Sequence, residues 1–109
     1  MPKVICCESK DNILEIAIKD KYLSLKSLGL LFKLVNNENS ITNRRKLKLE
    51  TLDGDTSLAS AFKELQKLGY LKVERNVIEQ KGKIESFYKL GIFEIWYILF
   101  YLSLNTYYS

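Results

Sequence analysis

The stretch Ser57-Leu-Ala-Ser-Ala-Phe-Lys-Glu-Leu-Gln-Lys-Leu-Gly-Tyr-Leu71 constrains this chain more than any other part of it. Leu58, Ala61, Phe62, Leu65 and Leu68 recur at a three-and-four spacing, which predicts a helix from Thr56 to Leu68 with one buried face. Gly69 stops that helix, and an extended segment follows at once. At about 100° per residue, Thr56, Ala59, Ser60, Lys63 and Lys67 gather on the opposite side. That side is small, hydroxylic and basic, a combination that lets a helix approach a major groove and bond to base edges and phosphates. A plain surface helix with solvating lysines has the same periodicity, so the flanking segments have to decide between the two.

The chain has 109 residues, enough for one core and one domain. Its composition, 47% apolar and 28% charged, is that of a folded globular protein. A net charge of +4 favours a polyanionic partner without specifying one. Histidine is absent. That removes the usual general base and the commonest metal ligand, so neither an enzyme nor a metal or other cofactor is expected. Cys6 and Cys7 are adjacent, which makes a mutual disulfide strained, and no third cysteine exists to pair with either. Both are expected to be buried or half-buried structural residues. The first residues lack the charged, apolar and small-residue regions of a secretory signal, so a cytoplasmic location is expected.

Val4 to Cys7 and Ile13 to Ile18 are apolar and β-branched, a pattern that suits a strand or a loose hairpin. Ser24 or Ser27 can cap a helix running to Val35, with Leu25, Leu28, Leu31, Phe32 and Val35 as its inward stripe. Gly29 in that helix costs about 1 kcal/mol relative to alanine, a loss that close approach of another helix would explain. Asn36 to Asn39 are turn formers. Ser40 to Thr42 suit a very short strand or the lead-in to a second helix capped by Thr42. Asn43 to Leu49 carry Arg44, Arg45, Lys46 and Lys48 around Leu47 and Leu49. Asp53-Gly54 marks a turn, with Asp55 or Thr56 placed to cap the helix that follows. Tyr70 to Gln80 and Ile84 to Leu90 read as two strands joined by Lys81-Gly82-Lys83.

Two motifs in this order resemble a known family. Asp20-Lys-Tyr-Leu-Ser-Leu-Lys-Ser-Leu-Gly-Leu-Leu31 resembles the LSLKAKGLL-type opening of winged helix domains in replication-initiation and DnaD-type proteins of Gram-positive bacteria, their phages and plasmids. Ala61-Phe-Lys-Glu-Leu-Gln-Lys-Leu-Gly-Tyr-Leu71 resembles the LKELxxxGYL-type ending of the same domains. The likeness spans Ile13 to Leu90. It departs from the family in the second helix, crowded here with Arg and Lys, and in a longer turn carrying Asp53 and Asp55.

The resemblance implies an α+β fold of the winged helix-turn-helix kind, with a three-helix core and a β-hairpin wing, to which the apolar run after Leu90 adds an expected extra C-terminal helix. Residues 1–19 are then an N-terminal extension or strand, 20–91 the winged helix domain and 92–109 the apolar helix or tail. It also implies binding of double-stranded DNA by a small transcriptional regulator or a replication-associated protein. Thr56, Ser57, Ser60, Lys63 and Lys67 would face the groove. Arg44, Arg45, Lys46 and Lys48 would lie where the preceding helix crosses the backbone, and Lys81 and Lys83 at the wing tip. A protein–protein module with the same fold and no DNA contact is the alternative. No small-molecule ligand is inferred.

From Ile95 to Ser109 no charged residue occurs. The apolar run from Ile92 to Leu104 is shorter than the roughly 20 residues a membrane span needs and contains Glu94, so a membrane role is not expected. A helix packed on the domain, or a homodimer formed through residues 92–104, is expected instead.

Overall fold

The computed structural model describes residues 2–78 and 82–93. Its elements are β1 (Lys3–Cys6), α1 (Lys10–Lys19), α2 (Leu25–Asn36), α3 (Arg44–Leu49), α4 (Asp55–Lys67), β2 (Leu71–Ile78) and β3 (Lys83–Leu90). The described residues thus form an α+β unit of four helices and a three-stranded sheet in the order β1-β3-β2.

The first segment departs from the sequence expectation. Lys3–Cys6 is a strand, but Ile13 to Ile18 belongs to α1 and not to a second strand or hairpin. Ile13 and Ala17, four residues apart, point into the core, as does Val4. The segment from β1 through α1 is therefore built into the same core as α2 and α4, not an extension outside it. β1 lies parallel to β3, with Lys3 opposite Phe87 and Cys6 opposite Leu90. On its other side it bonds to the turn after α2: Val4 N–H donates to Ser40 O (2.9 Å), Asn39 N–H to Val4 O (2.8 Å) and Thr42 N–H to Pro2 O (2.8 Å). The short strand expected at Ser40–Thr42 survives as one antiparallel bridge between Ile41 and Lys3.

Ser24 caps α2, its hydroxyl accepting from Ser27 N–H. The buried side of α2 is Ser27, Leu30, Leu31, Leu34 and Val35. The stripe read from sequence is rotated from this: Leu25 is 87% exposed, and Phe32 is also exposed. A helix with leucine at positions 25, 28, 30, 31 and 34 has apolar residues around much of its circumference, so periodicity alone leaves its orientation open. No close helix approach accounts for Gly29, where an added Cβ would meet nothing within 4 Å.

The hairpin of β2 and β3 pairs Leu71 with Leu90, Val73 with Tyr88 and Val77 with Ile84. Its base is anchored by the buried Leu71, Tyr88 and Leu90, and the Tyr88 ring packs on Phe62 at 5.4 Å between centroids. Its outer half leaves the core behind, with Val77 66% and Ile84 65% exposed. At its foot Tyr70 donates to Asp20 Oδ2 (2.6 Å), tying the start of β2 to the end of α1. Burial, and then this bond, push the Tyr70 phenol well above the ordinary tyrosine range.

Candidate nucleic-acid interface

α4 is fixed first by its apolar face. Leu58, Ala61, Phe62 and Leu65 are buried, and Leu68 is half-buried. Its N-cap is Gly54 with no side-chain bond, so neither Asp55 nor Thr56 is the cap; Asp55 is the first helical residue, where its charge still complements the helix dipole. At the other end Gly69 takes φ 84°, Tyr70 N–H bonds to Leu65 O (2.9 Å) and Gly69 N–H to Gln66 O (3.3 Å). This pair of bonds is the Schellman arrangement, and a residue with a Cβ is strained at that φ.

A polar tie fixes α4 a second time. The Ser24 N–H donates to Glu64 Oε1 (2.6 Å) and the Ser24 hydroxyl to Glu64 Oε2 (3.0 Å). Glu64 therefore closes the N-terminus of α2 from the middle of α4. The Ser24 amide bond in particular holds the Glu64 carboxyl below the usual carboxylate range.

With both contacts in place, the opposite side of α4 faces outward. Arg44 from α3 and Asp55, Thr56, Ala59, Ser60 and Lys63 from α4 line one open depression. Thr56, Lys63 and Lys67 are exposed and Ser60 is half-buried, its Oγ accepting from Lys26 Nζ of α2 (2.8 Å). A second depression beside it is lined by Arg44, Arg45, Lys48, Asp55 and Leu58. Lys48 pairs with Asp55 there at 2.8 Å. The two departures from the family pattern, a basic α3 and an acidic turn, thus meet and offset each other.

α3 is six residues long, buries Leu47 and starts at Asn43, whose Oδ1 accepts from Lys46 N–H (2.8 Å). Asn43 takes the capping place expected for Thr42. Thr42 is buried instead, and its Oγ1 has no partner.

Several of the eleven residues singled out from sequence fall together: Arg44, Arg45, Lys48, Thr56, Ser60 and Lys63. Ser57 lies apart, in the groove between α4 and α2. Lys46 donates to Ile41 O (3.3 Å) and lines neither basic depression. Lys67 is exposed one turn beyond Lys63. Lys83 opens β3 and is exposed, whereas Lys81 lies outside the described residues, as does the apolar segment beyond Phe93.

Arg75 is not among the residues singled out from sequence. Alternation puts Arg75 on the strand face shared by Leu71 and Val73, opposite Ser86 and one pair out from Tyr88. Burial raises the Tyr88 phenol, and the charges of Arg44 and Arg75 oppose that rise, so one guanidinium from α3 and one from the hairpin act on the same ring. The signal was available as the two-residue period of β2.

The cysteines are both free. Cys7 is exposed rather than buried. Cys6 is half-buried, and burial, then nearby Glu38, raise its thiol. Among the described residues no cluster of His, Cys, Asp or Glu could hold a metal ion, and no helix is long and apolar enough to cross a membrane. Comparison with protein-family models, with curated proteins and with solved structures finds no match to the chain.

Proposed function

We propose that the chain is a winged-helix protein that binds duplex DNA, acting as a small transcriptional regulator or in replication. The observation that carries this reading is the depression shared by Arg44, Thr56, Ala59, Ser60 and Lys63, on the side of α4 facing away from its buried leucines. α4 enters the major groove with its small residues leading, so that Ser60 and Lys63 reach base edges. α3 crosses the backbone, and Arg44, Arg45 and Lys48 contact phosphates there. The hairpin is the wing, with Lys83 and Arg75 on its exposed outer part. Each phosphate contact contributes roughly 0.9 to the log–log slope of affinity against salt.

The test is retardation of duplex DNA by the full chain at micromolar protein and low salt. The expected result is a shift that weakens steeply as salt rises and is lost when Arg44, Arg45, Lys46 and Lys48 are changed to Ala. No shift under these conditions overturns the reading. In that case the second reading, a protein–protein module with the same fold, takes its place.

A further inference from the structure

A shallow groove runs between α2 and α4. Leu25, Gly29 and Leu30 form one wall, Leu52 of the α3–α4 turn the lip, and Leu58 and Ala61 the other wall. Leu25 is 87% exposed and Leu52 is fully exposed, so the groove shows hydrocarbon to solvent. Gly29 stands in the middle of α2, where glycine weakens a helix. Nothing among the described residues requires it, since its φ is not positive and a Cβ would meet open space. The backbone of α2 is therefore open to the groove at Gly29, with space for more than a methyl group above it.

The rim indicates what kind of body. Lys26 and Lys33 both line the groove, yet both are engaged within the chain, Lys26 with Ser60 Oγ (2.8 Å) and Lys33 with Glu50 O (3.3 Å). The walls and lip that lie between them are hydrocarbon, which an uncharged apolar segment matches. The chain carries such a segment at Ile95–Leu104. Its starting point is fixed, because Phe93 N–H donates to Gly69 O (2.8 Å) at the foot of α4. Ala61 is eight residues up that helix, about 12 Å at the helical rise. Ten residues cover about 15 Å as a helix or about 33 Å extended, so the segment reaches the groove from its own tether. Tethering gives it an effective concentration on the order of millimolar, which a second copy does not match in dilute solution.

We propose that Ile95–Leu104 docks onto its own domain over Gly29, covering Leu25 and Leu52. The Lys26–Ser60 bond marks the border of this site, which leaves the outer side of α4 open. The proposal is independent of the DNA-binding reading.

Trp96 is the only tryptophan and lies in the docking segment, so it reports directly. In the full chain it is expected to show blue-shifted emission and weak acrylamide quenching that do not change on dilution. Gly29→Glu and Leu52→Glu each place a charge where structure offers space. Both are expected to shift Trp96 emission to the red and raise quenching severalfold while far-ultraviolet circular dichroism stays unchanged. Gly29→Ala is expected to leave the emission as it is. Three results overturn the proposal: a solvent-exposed Trp96 in the parent chain, protection that neither glutamate variant disturbs, and protection that fades on dilution. The last would assign the groove to a second copy.

Discussion

α3 and α4 supply adjoining parts of one basic surface, yet they are held in place by different means. α4 runs for thirteen residues and buries Leu58, Ala61, Phe62 and Leu65, and Glu64 ties it to α2. α3 runs for six and buries Leu47 alone, so it relies on the Asn43 cap and on the Lys48–Asp55 pair. A side chain on α4 is placed by the core, so its position tolerates little change in the helix beneath it. A side chain on α3 is placed by polar contacts at the surface, where charge can be altered without touching the core. On the DNA-binding reading, the helix proposed to meet base edges is the one the core fixes, and the helix proposed to meet phosphates is the one held by surface polar contacts.

This contrast can be broken most severely at Glu64. Glu64→Ala leaves the Ser24 amide and hydroxyl without their acceptor and is expected to cost about 1–3 kcal/mol in denaturant unfolding. The same residue gives a pH signature. Its folded carboxyl titrates below its ordinary value of 4.5, so the stability it contributes is present above that value and is lost as pH falls through the folded pKa. Glu64→Gln, which cannot titrate, is expected to flatten this acid arm of the stability curve. An unchanged acid arm would show that the tie contributes nothing.

A smaller effect is expected at α3. Asn43→Ala removes the cap and is expected to cost about 1 kcal/mol, and on the DNA-binding reading it weakens retardation by loosening Arg44 and Arg45. Equal losses of stability at Asn43 and Glu64 would erase the distinction between the two helices.

The smallest change in stability is expected from Asp55→Asn, within about 1 kcal/mol because the pair with Lys48 is exposed. Its sign in binding is the informative part. Freed from Asp55, Lys48 is expected to tighten binding and steepen the salt slope by up to about 0.9. Weaker binding by this variant would mean that Asp55 positions Lys48 rather than competing for it.

The legible parts of the sequence were those in which one periodicity admits one answer. In α4, Leu58, Ala61, Phe62 and Leu65 stand on one side with polar residues filling the other, and Gly69 ends the helix. Both the buried face and the outward one followed from that. The hairpin was legible for a similar reason, since β-branched residues alternate on either side of a glycine-containing turn.

The misread parts were those in which two periods fit. Ile13-Leu-Glu-Ile-Ala-Ile18 is apolar and β-branched enough for a strand, yet it forms part of α1, which buries Ile13 and Ala17 and packs on α2. In α2, leucines on several sides left its rotation to the tertiary contacts, and the bond that closes its N-terminus comes from Glu64, forty residues away from Ser24 in the chain. Of the candidate site, residue types on α3 and α4 were legible, but the separation of Ser57 from Ser60 required the fold.

The parallel ladder between residues 3–6 and 87–90 joins segments more than eighty positions apart. Its central neighbour, β3, is the last of the described strands to be synthesised, and until it arrives β1 has, among the described residues, the turn at Asn39–Thr42 to bond with. Synthesis therefore delivers all four helices before the sheet that seals Val4 among them can close, and ring closure over so long a chain is slow. During translation the nascent polypeptide carries an open apolar seam, and its final strand serves as the clasp.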